Sequence, residues 1–191
     1  MNKIKITFPD GNKKEYDSDV TGKQIAEGIS KGLAKEALAV EVNGEVQDLN
    51  RPISQDAPLK ILKWADDGGK EAYWHSSAHL MAEAVEALYP GAKFGIGPAI
   101  ETGFYYDLDL GDHNLTKDDL QKIEEKMSEL ANRDVPFTRE EKKWEDAVEY
   151  FKRKGDQYKL ELLDEFKGQA ISFYHQGNFT DLCRGPHLPS T

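Results

Sequence analysis

The sequence predicts an α+β chain in two parts, on three observations. Strand-like alternation, one helical stripe and further strand-like runs follow one another within about sixty residues. An acidic, glycine-containing stretch, "ADDGGK", interrupts the pattern at 65–70. Beyond it, longer helical stripes alternate with short strands broken by glycine. The expected division is therefore 1–63 and 64–191, with 65–70 as a linker.

The elements follow in order. "KIKITF" alternates Ile4, Ile6 and Phe8 toward one face, and a Pro-Asp-Gly turn returns the chain as a second strand. "VTGKQIAEGISKGLAKEAL" spaces Ile25, Ile29, Leu33 and Ala37 four apart, the stripe of one helix with Thr21 as its cap. "LAVEVNGEVQDL", with an Asn-Gly turn, and "LKILKW" supply more strands. Together these describe a small grasp-like sheet folded over a helix. The second part opens with an amphipathic helix over roughly 71–89, ended by Pro90 and Gly91. Its His75, His79 and Glu83 share one face, while Leu80, Ala84, Val85 and Leu88 form the buried one. "KFGIGPAIETGFYYDLDL" reads as short strands whose Gly95, Gly97 and Gly103 mark bends or close approaches. A second helix starts at Thr116, with Asp119 at capping-box distance and Leu120, Ile123, Met127 and Leu130 facing inward. "VPFTREE" is strand-like, and "WEDAVEYFKRKG" a third helix.

Composition narrows the functional classes. With 38% hydrophobic and 31% charged residues among 191, the chain can bury one large or two small cores. It has no apolar run of about 18 residues and no basic-then-apolar leader, so a cytoplasmic protein without a membrane partner is expected. One cysteine excludes an internal disulfide. The net charge is -10, and its excess lies wholly in the second part. Residues 1–63 hold ten basic and ten acidic side chains; 64–191 hold fifteen and twenty-five. Such a balance argues against a dedicated nucleic-acid wrapper, because phosphate binding needs clustered Lys and Arg.

Two spaced pairs carry the chemistry. His75 and His79 stand four apart on a helix, and Cys183 and His187 four apart near the end, beside Asp181 and Arg184. Either pair alone is ordinary. Together, three imidazoles and one thiol suffice for a tetrahedral zinc site or for a hydrolytic cluster, and the spacing leaves both open. Lys159, in "QYKLELL", reads from its own surroundings as a solvated lysine on a strand edge. Tyr105 and the 95–98 loop suit a pocket wall or simple packing. His113 and His175 receive no role.

In order, "HSSAHLMAEAV", "IGPAIETGFYYD" and "DLCRGPH", behind a domain with "PDG" at its first turn, resemble the N-terminal half of bacterial threonyl-tRNA synthetases. The likeness covers essentially the whole chain. It implies that 1–63 is a ubiquitin-like TGS domain. It implies that 64–191 is the editing domain shared with alanyl-tRNA synthetases, and that the chain stops before the aminoacylation core. The implied activity is hydrolysis of Ser-tRNA(Thr), with the tRNA 3′ end and the remaining synthetase domains as partners. The residues implied for the site are His75, His79, Lys159, Asp181, Cys183 and His187. The alanyl relatives hold zinc at this signature, whereas the threonyl enzymes are expected to work there without metal. No cofactor is therefore expected for this fragment, with zinc at His75, His79, Cys183 and His187 as the alternative. ATP and a further zinc belong to the missing core. The rival readings are a zinc-braced structural module and a tRNA-binding regulatory fragment.

Overall fold

A computed structural model describes residues 2–191. The chain is α+β, as expected, and its residues group into two compact units: those up to His75 with Gly185–Pro189, and Ser76–Arg184 with Ser190–Thr191.

The first unit is built on a five-stranded sheet. Strand β1 (Lys3–Thr7) pairs antiparallel with β2 (Lys13–Asp17), with Ile4 opposite Tyr16. After the short β3 (Val20–Thr21), helices α1 (Gly22–Ile29) and α2 (Lys31–Glu36) lead to β4 (Ala39–Val42) and β5 (Glu45–Gln47). Strand β6 (Pro52–Ile53) pairs with β3, and β7 (Ala57–Leu62) enters the sheet between β1, to which it runs parallel, and β4. Asn43 and Gly44 both take positive φ in the β4–β5 turn, the geometry an Asn-Gly hairpin requires. Ile4, Ile6, Ile25, Val40, Leu49 and Leu59 form the core.

The single helix expected over 21–37 is two. Thr21 caps the first through a reciprocal box with Gln24, but Ser30 is extended (φ -164°, ψ 152°) and its hydroxyl caps the second at Leu33. The break turns Ile29 outward, 49% exposed. Serine competes with the helical backbone for hydrogen bonds and prefers such boundaries, and the flanking Gly28 and Gly32 make the helix cheap to interrupt.

The 65–70 stretch is also not a loop throughout. Helix α3 runs Asp67–Leu88, so Gly68, Gly69 and Lys70 lie in its first turn. Glycine is needed there for space: a Cβ on Gly69 would stand 2.1 Å from the Lys63 carbonyl oxygen, and one on Gly68 3.0 Å from Leu62 Cδ1. Nor is α3 simply amphipathic. Ala72, Ser76, Ala78, His79, Ala82, Glu83, Ala84 and Val85 are all buried, which covers most of its circumference.

In the second unit, β8 (Lys93–Phe94) pairs with β11 (Leu108–Asp109), and β9 (Ala99–Ile100) with β10 (Gly103–Phe104). Helix α4 (Lys117–Ala131) is capped by Thr116 and Asp119 as expected, with Ile123 and Leu130 buried but Leu120 52% exposed. Strand β12 (Thr138–Lys142), helix α5 (Trp144–Lys154) and helix α6 (Gln157–Asp164) precede β13 (Ile171–Gln176) and β14 (Phe179–Leu182), and the strands pair antiparallel in the order β12-β13-β14. Phe151, Leu163 and Phe173 anchor α5 and α6 to this sheet. Ala82, Val85, Phe94, Ile123, Leu130 and Phe179 form the other core of the unit.

Candidate functional site

Helix α3 presents His75 and His79 one turn apart, and β14 runs through Asp181 into Cys183 and His187. The ligating atoms of His75, His79, Cys183 and His187 lie within 4.8 Å of one another. The His75 and His187 rings stack with centroids 4.3 Å apart. His75 Nδ1 lies 3.2 Å from the Pro186 carbonyl oxygen, which can only accept, so Nδ1 carries the hydrogen and Nε2 is the basic nitrogen of the neutral ring. The His187 backbone N–H donates to Asp48 at 2.7 Å, and the His187 ring is fully buried. His79 is buried, with Phe179 edge-on at 5.9 Å.

Lys159 stands on a helix and not on a strand edge, and it is 4% exposed. Asp156 caps α6 by accepting from the Lys159 backbone N–H, which fixes where the lysine leaves the helix. The Lys159 ammonium donates to Asp181 Oδ2 at 2.8 Å, and both side chains are almost wholly buried. Asp181 also accepts from Tyr106 Oη at 2.9 Å and, through Oδ1, from the Leu182 N–H at 2.8 Å. Burial first, then the charge of Asp181, pushes the Tyr106 hydroxyl well above its usual range and keeps it protonated as a donor. Lys159 thus spends one of three donors on Asp181 and remains a buried cation with two more to offer.

The sequence had singled out Tyr105 and the 95–98 loop. Tyr105 is 67% exposed and does not pack in the core. Its neighbour Tyr106, which the sequence did not single out, is the residue that reaches Asp181; in extended chain, neighbours face opposite ways. The loop glycines mark close approaches, as expected: a Cβ on Gly97 would meet the Tyr106 ring at 2.7 Å, and one on Gly95 would meet Asp107 at 2.9 Å. His113 bonds Asp119 and His175 bonds Thr180 and Glu140, away from the four-residue cluster.

Three imidazole nitrogens and a thiol at this spacing are a donor set that tetrahedral zinc accepts. Asp181, two residues before Cys183, forms a buried pair with Lys159 and also accepts from Tyr106, whose hydroxyl is held protonated.

A TGS domain matches residues 4–63, and the threonyl and alanyl tRNA synthetase second additional domain matches 171–191. The second of these models is named for the threonyl and alanyl tRNA synthetases, and the residues between the two matches are covered by neither. The chain is 55% identical over 188 residues to the threonine–tRNA ligase of Cytophaga hutchinsonii and 56% over 188 to that of Parabacteroides distasonis. It is 57% identical over 189 residues to that of Porphyromonas gingivalis; each comparison covers 98% of this chain and 29% of the relative. It is a homologue of the threonine–tRNA ligases and corresponds to their N-terminal part. The chain spans under a third of the length of these relatives.

Proposed function

We propose that this chain is the editing region of a threonyl-tRNA synthetase, with 1–63 as TGS domain and 64–191 as the hydrolytic domain, acting in the cytoplasm on serine misattached to tRNA(Thr). The observation that carries the reading is the convergence of His75, His79, Cys183 and His187. Serine lacks one methyl of threonine, and a synthetic pocket rejects the smaller analogue by only about 1–3 kcal/mol, or roughly 10–200-fold, so a second, hydrolytic site is needed. The parent enzyme would ligate threonine using ATP in domains outside this sequence.

Water attacks the seryl carbonyl carbon, the bond to the ribose oxygen breaks, and serine and a free 3′ end are released. His75 is set up as the base: with Nδ1–H held on the Pro186 carbonyl, Nε2 takes the water proton and returns it to the ribose oxygen. The two remaining donors of Lys159 meet negative charge developing on the carbonyl oxygen, while Asp181 and Tyr106 hold that ammonium still. Cys183, half-buried, lines the wall against the ribose end and the seryl group, and the buried His79 and His187 hold that wall in shape. If zinc binds, His75, His79, Cys183 and His187 would hold it, and it would supply Lewis-acid polarisation and a more acidic bound water.

The test is single-turnover hydrolysis of Ser-tRNA(Thr) and Thr-tRNA(Thr) by the 191-residue chain, with and without chelator, alongside metal analysis. The expected outcome is serine-selective, chelator-insensitive hydrolysis. Equal rates for the two substrates would refute the sieve. Stoichiometric zinc whose removal abolishes hydrolysis would transfer the catalytic charge from Lys159 to the metal, and zinc without hydrolysis would leave a structural module.

A further inference from the structure

Glu83 lies one helical turn beyond His79 on α3 and is 5% exposed, an unusual place for a carboxylate. Its partners are amides and not a cation. Gln176 Nε2 donates to its Oε2 at 3.3 Å, and the Asn178 backbone N–H donates to its Oε1 at 3.4 Å. Between them Gly177 takes a positive φ of 50°, and a Cβ there would stand 2.3 Å from Glu83 Oε1. The β13–β14 turn is therefore wrapped around this carboxylate. The strand leaving the turn carries Phe179, edge-on to His79, then Asp181, and runs on to Cys183. Two hydrogen bonds of this length do not offset the cost of burying a carboxylate, and an apolar side chain would pack the site more cheaply.

We infer that Glu83 is a positioning residue for the reaction: it fixes the strand bearing Asp181 and Cys183 in register with His79. This deepens the hydrolytic reading and rests on it. The Glu83→Gln side chain keeps the shape but points an NH2 at one of two donors. Turning the Gln176 amide would meet it with Oε1 but strand Nε2 where Oε1 now lies buried without a partner, so the packing of the turn must adjust. The pair Glu83→Gln with Gln176→Glu restores the match, since the new amide donates to residue 176 and still accepts from the Asn178 N–H.

The experiment uses the 191-residue chain and two readouts: single-turnover hydrolysis of Ser-tRNA(Thr), and the iodoacetamide alkylation rate of Cys183, the sole cysteine, half-buried. A displacement of about 1 Å at a reacting group costs on the order of 100-fold, so Glu83→Gln should slow hydrolysis by roughly 10–100-fold, with the half-saturating tRNA concentration held within about two-fold. The alkylation rate should change by about three-fold or more, as thiol access and environment alter. The double variant should return both to near wild type. A folded Glu83→Gln chain with both rates unchanged, or a folded double variant that restores neither, overturns the inference. If the wild-type chain hydrolyses nothing, the functional reading fails and Cys183 alkylation alone decides this one. If Glu83→Gln does not fold, Gln176→Met, which removes one donor, decides in the same way: unchanged rates in both readouts overturn it.

Discussion

Replacing Asp181 with Asn leaves the Lys159 ammonium, 4% exposed, without its counter-charge. The geometry gives the magnitude. The pair is a 2.8 Å contact with both side chains about 5% exposed, so water cannot replace the lost partner. Breaking such a pair from one side costs about 3–5 kcal/mol, because a buried charge is left uncompensated. The Tyr106 hydroxyl keeps an oxygen to bond but loses a charged acceptor, a smaller loss on the order of 1 kcal/mol. Lys159→Met together with Asp181→Asn removes both charges and should recover most of the deficit, since neutral replacement of a buried pair is close to neutral in stability. Urea unfolding is the assay, followed by Trp144 fluorescence in a Trp64→Phe, Trp74→Phe background. Trp144 lies in the unit that holds the pair and bonds the Leu163 carbonyl at 2.8 Å. A loss below about 1 kcal/mol for Asp181→Asn, the range of exposed pairs, would refute the reasoning. So would a double variant no more stable than the single one.

Gly69→Ala should destabilise by about 1–3 kcal/mol or more in thermal or urea unfolding, because its Cβ would meet the Lys63 carbonyl at 2.1 Å. Gly28→Ala in α1, with nothing within 4 Å, should instead stabilise by roughly 0.5–1 kcal/mol. Asp156→Ala removes the cap of α6 and should cost about 1 kcal/mol and slow Ser-tRNA hydrolysis through Lys159, measured on the same preparation. Asp119 is held well below the usual carboxylate range by the Thr116 hydroxyl, then the Thr116 backbone N–H, with Tyr89 and Lys122 adding to it. Its contribution is thus present above about pH 4, the unfolded value, and is lost as pH falls toward the lower folded value. Urea midpoints from pH 7 to pH 2 should accordingly fall less steeply for Asp119→Asn than for wild type.

Local signals told most where local forces decide. The Asn43–Gly44 turn, the Thr116 and Thr21 caps and the alternation in β1 all stand where the residues put them, because each is set by φ preference or by a donor within three residues. The misreadings are tertiary. Periodicity could not see that Ser30 would cap a new helix, that Gly68 and Gly69 serve contact and not flexibility, or that Lys159 would find Asp181 twenty-two residues away. The cluster was visible as two paired spacings, and the likeness to a known family is what added Lys159 and Asp181 to the expected set. Tyr106 was legible only in the adjacent "YY", where strand alternation turns one ring in and one out. Glu83 carried no signal beyond being one more residue on the histidine face.

The order of the five-stranded sheet has a consequence during synthesis on the ribosome. Strand β1 lies between β2 and β7, and its partner residues Ala57 and Pro58 are made some fifty residues after Ile6 and Thr7. At about 5–20 residues per second, the β1–β2 hairpin waits roughly 3–10 seconds for the strand that covers its other edge. Through that interval the edge is an open template for pairing with another nascent chain. The lysines at positions 3, 5, 13 and 14, of which Lys3 pairs with Asp17 across the hairpin, put charge on that early unit and make its edge a poorer template until β7 arrives.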